Sequence, residues 1–186
     1  MPRMIDVVLA LAALIVFAIP MALVAIAVKL TSPGPVLYWS QRVGRYNCLF
    51  AMPKFRSMRI DTPALPTHLL RDGESWLTPI GGFLRRSSLD ELPQLWCILT
   101  GDMAVVGPRP ALFNQDDLVA ARTAQKVHEL RPGLTGWAQV NGRDNLSIPE
   151  KVDYDAEYLR RRSFGFDMII IWKTIKKVLG SSDISH

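Results

Sequence analysis

An unbroken apolar run near the N-terminus constrains this chain more than any other feature. Val7–Val28 holds 22 residues without a charged side chain, and nearly all are Ala, Val, Leu, Ile, Phe or Met. At about 1.5 Å of rise per residue the run forms a helix of roughly 33 Å, enough to cross the hydrocarbon core of a bilayer. We therefore place this run in lipid and divide the chain into a membrane segment, residues 1–30, and one domain, residues 31–186.

Three topologies are consistent with this run, and composition alone favours a single spanning helix. A cleavable signal sequence finds some support in the small-x-small pattern Ala25–Ala27, but the run is too long and a basic stretch follows it. A re-entrant helix hairpin is the remaining topology. Pro20 lacks a backbone donor and predicts a kink near the middle of the run, and a hairpin bent there leaves Arg3 and Lys29 on one side of the membrane.

Positive charge is concentrated directly after the membrane segment. The chain of 186 residues has 22 Lys or Arg and 17 Asp or Glu, a net charge of +5. Residues 29–60 contain six of the basic residues and no acidic residue. This local excess suits an anionic membrane leaflet or a phosphate-bearing ligand. No nucleic-acid-binding motif accompanies it, so we expect neither DNA nor RNA as a partner.

Cysteine and histidine are too few and too scattered to build a metal centre. Cys48 and Cys97 follow no zinc spacing, and the three histidines lie far apart in the sequence. The chain also lacks a dinucleotide-binding glycine motif, a phosphate loop and a His-Glu-x-x-His pattern. The sequence therefore favours neither a zinc site nor a cysteine nucleophile.

Short strands and helices follow the membrane segment. Val36–Arg42 and Cys48–Phe55 have the composition of two strands around a turn at Gly44–Asn47, and prolines and glycines predict an irregular connection as far as residue 82. Apolar periodicity then predicts four helices: one opened by Asp90-Glu91 and stopped by Gly101, then Asp116–Leu130, Tyr154–Arg162 and Phe166–Leu179. The predicted fold class is α+β and helix-rich.

The last of these helices is amphipathic and basic. Met168, Ile171, Trp172, Ile175, Val178 and Leu179 fall within one arc at 100° per residue, whereas Lys173, Lys176 and Lys177 fall opposite. Such an arc packs on a protein core in most soluble domains. Beside a membrane segment, a helix lying in the membrane interface is an equally good interpretation.

Basic residues beside Pro or Gly are the first chemical signal. Gly and Pro fix tight turns, and a guanidinium held on such a turn is preorganised to bind an oxyanion. A solvated basic surface is the simpler explanation for any one of them, but several in stiff loops indicate a phosphate-bearing ligand. The residues concerned are Lys54, Arg56, Arg85, Arg86, Arg109, Arg131 and Arg143.

The adjacent carboxylates Asp90 and Glu91 are the second signal. Taken alone, Asp90 is most simply a helix cap. The functional interpretation is that a carboxylate at a positive helix end, after Arg85 and Arg86, stays ionised at neutral pH. Such a group can bind Mg²⁺ or attack a phosphorus atom.

Five motifs together resemble one family, the bacterial sugar transferases called monotopic phosphoglycosyl transferases. The motifs follow one another along nearly the whole chain, and the longest has 13 residues. They are Lys54–Met58, Ser88–Gln94, Gly101–Met103, Gly107–Pro110 and Arg131–Arg143.

The resemblance implies a reaction at the cytoplasmic face of the bacterial inner membrane. A sugar-1-phosphate moves from a UDP-sugar to a polyprenyl (undecaprenyl) phosphate, and UMP is released. A ping-pong mechanism with a covalent phosphosugar-aspartyl enzyme and Mg²⁺ is implied as well. The reaction is the first membrane step of glycoconjugate assembly, with downstream glycosyltransferases as further partners.

The resemblance also assigns roles to residues. Asp90 matches the nucleophile and a contact of Mg²⁺, and Glu91 matches the second member of the catalytic dyad. The positions that match substrate-binding residues are Lys54, Arg56, Arg85, Arg109, Arg131, Gln139 and Arg143. Asp155 and Asp167 match further acidic positions, without an assigned role.

The membrane segment is where this chain departs from the family pattern. The small members have a helix that enters and leaves one leaflet, bent at a Ser-Pro pair. Pro20 is present, but Ile19 replaces the serine, so a hydroxyl that would stabilise the bend is missing. The fold implied is an N-terminal re-entrant membrane helix hairpin, residues 1–30, on a cytoplasmic catalytic domain with a small β-hairpin and amphipathic interfacial helices.

A function from another class remains open on the residues alone. The protein could be a noncatalytic membrane scaffold that binds anionic lipid or a polysaccharide-assembly partner through Arg42, Arg45 and Lys54. The intact pair Asp90 and Glu91 argues against it.

Overall fold

The computed structural model describes residues 1–62, 73–142 and 145–180. Its α-helices are α1 Arg3–Thr31, α2 Gly81–Arg86, α3 Leu95–Thr100, α4 Asp116–Ala124, α5 Trp137–Asn141, α6 Ile148–Arg161 and α7 Phe164–Gly180. Its strands are β1 Leu37–Val43, β2 Leu49–Phe55, β3 Ala104–Val106, β4 Ala111–Leu112 and β5 Gly133–Thr135. Within the described residues, 3-10 helices cover Arg45–Asn47, Gly73–Trp76, Leu89–Gln94 and Val127–Glu129. The helix-rich α+β class is confirmed.

The predicted β-hairpin is present with a defined register. β1 and β2 are antiparallel, with Leu37 opposite Phe55 and Val43 opposite Leu49. The two residues of the turn with positive φ are Tyr46 and Asn47, at 56° and 59°. β4 pairs with the other edge of β1, so β1 is the central strand of three.

A second, two-stranded sheet was not predicted. β3 and β5 are parallel, with Ala104 opposite Gly133 and Val106 opposite Thr135. Each strand has three residues, too few to show an alternating pattern in the sequence. The chain between them, which includes α4, forms the crossover that parallel strands require.

The apolar run forms α1, one continuous helix that passes through Pro20. Its 29 residues correspond to a length of about 43 Å. The helix does not fold back on itself, so the re-entrant hairpin is not confirmed.

Both ends of α1 contact the same domain. At the first turn, the Arg3 guanidinium donates to carbonyls at the end of α3, including that of Leu99 at 3.2 Å. Near the other end, Val28 is fully buried in a cluster with Phe55 and Leu84. The helix therefore lies along the domain, and its removal as a signal sequence would expose two parts of the core.

The side of α1 turned away from the domain is apolar and exposed. A stripe that includes Ala10, Val24 and Val28 is buried. The exposed side chains are Met4, Val8, Leu9, Leu11, Ile15, Val16, Phe17, Ile19, Leu23, Ile26 and Leu30. An apolar face of this extent in a monomer marks a surface that contacts lipid or a partner.

The C-terminal helix α7 packs on the protein core, which was one of the two interpretations of its apolar arc. Phe166 and Ile170 are buried in a cluster with Val106 and Tyr158, so one side of α7 belongs to the core. Part of the predicted apolar arc faces outward, and Trp172 is 58% exposed. A location of this outer side in the membrane interface stays a prediction.

The contacts of α1 predict that both of its ends lie on one side of the membrane. Single cysteines at positions 2 and 30, in a background where the exposed Cys48 is replaced by Ser, should react equally with a membrane-impermeant maleimide in inside-out vesicles. In right-side-out vesicles neither should react. Labelling of the two positions from opposite sides would instead establish a spanning helix.

Candidate active site

The dyad lies in the 3-10 helix Leu89–Gln94, which follows a sharp turn. Ser88 precedes this helix with a φ of 56°, the left-handed region, and no side-chain bond caps the helix. A non-glycine residue held in this region carries strain and is common at functional sites. The turn separates α2, which carries Arg85, from the dyad.

Asp90 is a buried carboxylate and not the helix cap that it resembles in the sequence. Asp90 is a residue of the 3-10 helix itself, whereas Ser88 occupies the cap position, and Asp90 is only 7% exposed. None of the residues that the structure describes donates a hydrogen bond to this carboxylate or forms an ion pair with it. A buried carboxylate without donors is costly for folding, so the arrangement requires a reason other than stability.

Glu91 is held by two cations from separate elements. Its Oε1 accepts from the Lys54 Nζ at 2.9 Å and from the Arg109 Nη2 at 3.1 Å. Lys54 comes from β2, and Arg109 comes from the loop between β3 and β4. The two neighbouring carboxylates thus have opposite environments, one ion-paired and one without a bonded partner.

The burial of these groups shifts the pKa values of Asp90 and Lys54. Burial raises the pKa of Asp90 to about 6, although the positive charges of Lys54, Arg85 and Arg109 oppose the shift and Glu91 adds to it. Burial also lowers the pKa of Lys54, against the attraction of Glu91. Asp90 is therefore mostly ionised at neutral pH but is an unusually basic carboxylate, which favours reaction with an electrophile.

The Gly107–Pro110 loop that carries Arg109 is packed tightly against the chain around β5. A Cβ on Gly107 would lie 2.3 Å from the Arg131 carbonyl, so only glycine fits there. The Arg109 carbonyl accepts from the Arg122 Nη1 at 2.8 Å, and the Pro110 carbonyl accepts from the Arg42 Nη1 at 3.2 Å. Arg42 and Arg122 are thus parts of the site that sequence reasoning did not include.

Three of the predicted substrate-binding residues have contacts away from the dyad. Arg56 is buried and donates to the Ser32 carbonyl at 2.9 Å, so it holds the exit of α1. Arg131 is exposed and donates to the Gly101 carbonyl at 3.0 Å. Gln139 donates to the Leu134 carbonyl at 3.1 Å, while its Oε1 is buried without a partner among the described residues. Their roles in binding stay predictions.

The remaining predicted site residues differ in their distance from the dyad. Arg85 lies near enough to Asp90 to affect its pKa, and its Nη1 is 3.7 Å from the Met58 sulfur. Arg143 lies outside the described residues. The two further acidic positions, Asp155 and Asp167, are both fully buried.

The two buried aspartates have defined partners. Asp155 Oδ2 accepts from the Arg122 Nη2 at 2.6 Å, and burial raises the pKa of Asp155 although Arg122 opposes this. Asp167 Oδ1 accepts from the Tyr158 hydroxyl at 2.8 Å, and its Oδ2 is 2.7 Å from the Met1 amino group. Asp155 is therefore connected to the Arg109 loop, whereas Asp167 joins α7 to α6 and to the start of α1.

The dyad offers Mg²⁺ few protein ligands. No group of three His, Cys, Asp or Glu within residues 1–62, 73–142 and 145–180 is placed to hold a metal ion. The unbonded oxygens of Asp90 suit a hard cation, and Mg²⁺ in phosphoryl-transfer sites is held by one or two carboxylates together with substrate phosphates. The residues present therefore fit Mg²⁺ that binds with its substrate.

Nearly the whole chain matches one protein family. The family described as bacterial sugar transferase matches residues 1–181. The chain belongs to this family. The assignment agrees with the resemblance of the five sequence motifs, and it covers both α1 and the domain that carries the dyad.

Three curated bacterial sugar transferases show the range of the relatives. The UDP-glucose:undecaprenyl-phosphate glucose-1-phosphate transferase of Escherichia coli K12 is 39% identical over 92% of this chain and 39% of its own length. The protein of the same name from Caulobacter vibrioides is 36% identical over 95% of this chain and 69% of its own length. The UDP-N-acetylgalactosamine-undecaprenyl-phosphate N-acetylgalactosaminephosphotransferase of Aeromonas hydrophila is 35% identical over 95% of this chain and 43% of its own length.

The opposite environments of the dyad predict opposite effects on stability. A raised pKa means that folded Asp90 binds its proton more tightly than the unfolded chain does, so the stability of the wild type falls as the pH rises from about 4 to about 6. Asp90→Asn removes this loss and should raise the free energy of unfolding by about 1–3 kcal/mol at neutral pH and by little near pH 4.

Glu91→Gln is the matched comparison, because it changes the neighbouring carboxylate in the same way. It leaves Lys54 and Arg109 without their anion and should lower stability at neutral pH. Chemical unfolding of both variants in detergent at about pH 4.5 and pH 7.5 measures the effects. Equal destabilisation by the two substitutions would refute the difference between the carboxylates.

Proposed function

We propose that this sugar transferase moves a sugar-1-phosphate from a UDP-sugar to a polyprenyl phosphate and releases UMP. The observation that carries the proposal is the buried Asp90 carboxylate, which has no donor among the described residues although Lys54, Arg85 and Arg109 lie close enough to influence its pKa. The names of the relatives support the reaction class, since they join UDP-sugars to undecaprenyl phosphate. The chain spans about two fifths of the length of the Escherichia coli relative, so we propose its activity and substrates and do not take them from that protein.

In the first half-reaction, an oxygen of ionised Asp90 attacks the phosphorus that bears the sugar. A bond forms between Asp90 and this phosphorus, the bond to the bridging oxygen of UMP breaks, and UMP leaves with the electron pair. Phosphoryl transfer depends mainly on positioning and on neutralising the charge of the phosphate oxygens. Arg109 and Lys54, held together on Glu91, are the groups of this chain that supply positive charge there.

In the second half-reaction, a phosphate oxygen of the polyprenyl phosphate attacks the same phosphorus. The bond to Asp90 breaks and the carboxylate is restored. Glu91, ion-paired with Lys54 and Arg109 next to Asp90, would handle a proton of the acceptor. The covalent intermediate lets one soluble and one lipidic substrate use the same site in turn.

Mg²⁺ is part of the proposed chemistry. Asp90 is the residue of this chain that would contact it, together with the diphosphate of the substrate. When bound, Mg²⁺ neutralises negative charge on the phosphate oxygens.

The proposed location is the cytoplasmic face of the bacterial inner membrane. The exposed apolar face of α1 supports contact with lipid, and the attachment of both α1 ends to one domain supports a monotopic arrangement in which α1 does not cross the membrane. Residues 29–60, which hold the local excess of positive charge, follow α1 and suit an anionic leaflet.

The sugar is a matter for experiment, because relatives of similar identity are named for glucose and for N-acetylgalactosamine. A panel of UDP-glucose, UDP-galactose, UDP-N-acetylglucosamine and UDP-N-acetylgalactosamine, assayed by UMP release with undecaprenyl phosphate, identifies the donor. The sugar that is transferred then indicates in which glycoconjugate, and with which downstream glycosyltransferases, the product is used.

Replacement of the nucleophile tests the proposed function. Asp90→Asn should lower UMP release by at least about 10³-fold, and Glu91→Gln should lower it by about 10²-fold, because it disturbs two cations without removing the nucleophile. Asp117→Asn, an exposed carboxylate on α4, is the control and should retain wild-type activity. Undiminished UMP release in Asp90→Asn would refute Asp90 as the nucleophile, whereas a wild-type protein that releases no UMP would favour the noncatalytic scaffold.

The pH dependence tests the state of Asp90 separately. Only the ionised carboxylate attacks phosphorus, and its pKa is about 6. UMP release in a single turnover without acceptor should therefore fall below pH 6 and reach about a tenth of its neutral value near pH 5. A rate that stays constant down to pH 5 would show that an ordinary carboxylate, or none, limits this step.

A further inference from the structure

The Arg109 loop is fixed by hydrogen bonds to three successive carbonyls. The Pro108 carbonyl accepts from the Gly133 amide at 2.9 Å. The Arg109 carbonyl accepts from Arg122 of α4, and the Pro110 carbonyl accepts from Arg42 of β1. Prolines at 108 and 110 have no amide hydrogen, so the loop depends on its carbonyls for anchoring.

Arg122 is itself oriented by a buried carboxylate. Asp155 Oδ2 accepts from Arg122 Nε at 2.9 Å and from Nη2 at 2.6 Å, and Asp155 is 1% exposed. A guanidinium is planar, so fixing two of its nitrogens fixes the direction of the third. The Nη1 is thereby directed at the Arg109 carbonyl, 2.8 Å away.

A continuous path of contacts therefore leads from α6 to the dyad. It runs from the Asp155 carboxylate through the Arg122 guanidinium to the Arg109 backbone. From there the Arg109 side chain reaches Glu91 at 3.1 Å. The strands on either side of this loop have only three and two residues, which gives the loop little rigidity of its own.

We propose that Asp155 and Arg122 are positioning residues that set the Arg109 guanidinium against Glu91 and the diphosphate of the donor substrate. The proposal rests on the function proposed above. Asp155 touches neither the dyad nor the substrate, and it acts only through Arg122 and the Arg109 backbone. Its loss should therefore affect the donor half-reaction and leave the use of the acceptor unchanged.

A double-mutant cycle tests this path. Asp155→Asn should lower kcat/KM for the UDP-sugar by about tenfold, the usual effect of losing a partner that orients a site residue, without changing kcat/KM for undecaprenyl phosphate. In an Arg109→Ala background the same substitution should change kcat/KM by less than twofold, since the group that it positions is gone. The assay is UMP release from the panel sugar that the wild type uses best.

Two further variants separate positioning from folding. Asp153→Asn changes an exposed carboxylate on the same helix and should have no effect. Arg122→Lys keeps a cation beside Asp155, but its single nitrogen cannot reproduce the planar fork that bonds Asp155 through two nitrogens and the Arg109 carbonyl through a third. It should reproduce the tenfold loss with near wild-type stability, and this loss should also disappear in the Arg109→Ala background.

The outcomes are distinct. A full tenfold loss from Asp155→Asn in the Arg109→Ala background, or a loss that equals the fraction of unfolded enzyme while Arg122→Lys stays fully active, would overturn the positioning role. Failure of the wild type to release UMP from any UDP-sugar of the panel would overturn the proposed function instead.

Discussion

The ion pairs that Glu91 makes with Lys54 and Arg109 are the interaction on which the site depends. They draw two cations from distant parts of the chain to one carboxylate, while its buried neighbour Asp90 has no bonded partner among the residues that the structure describes. Burial raises the pKa of Asp90 to about 6, and the nearby charges of Lys54, Arg85 and Arg109 offset only part of this shift. A stability-driven arrangement would have paired both carboxylates, so the contrast is itself the sign of a reactive group.

The rest of the fold supplies the parts of this arrangement. The register of the β1–β2 hairpin places Lys54, the left-handed turn at Ser88 directs the dyad inward, and the β3–β4 loop presents Arg109. The apolar helix α1 packs along the same domain from Arg3 to Val28. The site is therefore attached directly to the apolar helix, which suits the proposed transfer to a lipid phosphate.

Features set by neighbouring residues could be predicted from the sequence, and features set by distant residues could not. The apolar run, the hairpin, the stop of α3 at Gly101 and the pair Asp90-Glu91 depend on local patterns, and the structure shows each of them. The parallel pairing of β3 with β5 joins three-residue segments about thirty residues apart, which no local pattern reveals. Arg122 looks like an ordinary surface residue of a helix, and only the fold brings it to Asp155 and to the Arg109 carbonyl.

Two sequence interpretations gave way for physical reasons. Asp90 has the position of a helix cap, but the preceding turn carries its side chain into the interior, so it caps nothing. Arg56 follows Lys54 by two residues, a spacing that keeps both side chains on one face within a strand, but β2 ends at Phe55 and Arg56 instead holds Ser32 at the exit of α1. The motif Lys54–Met58 therefore combines Lys54, a residue of the site, with Arg56, which fixes the end of α1 to the domain.

Direct detection of the covalent intermediate tests the central claim most sharply. The purified enzyme is incubated with its UDP-sugar, labelled in the phosphate next to the sugar, in the absence of undecaprenyl phosphate, and is then quenched, digested and mapped by mass spectrometry. The account predicts one phosphosugar on the peptide that contains Asp90, and its release when undecaprenyl phosphate is added. Release of UMP with no label on the protein, or with the label on Glu91, would contradict it.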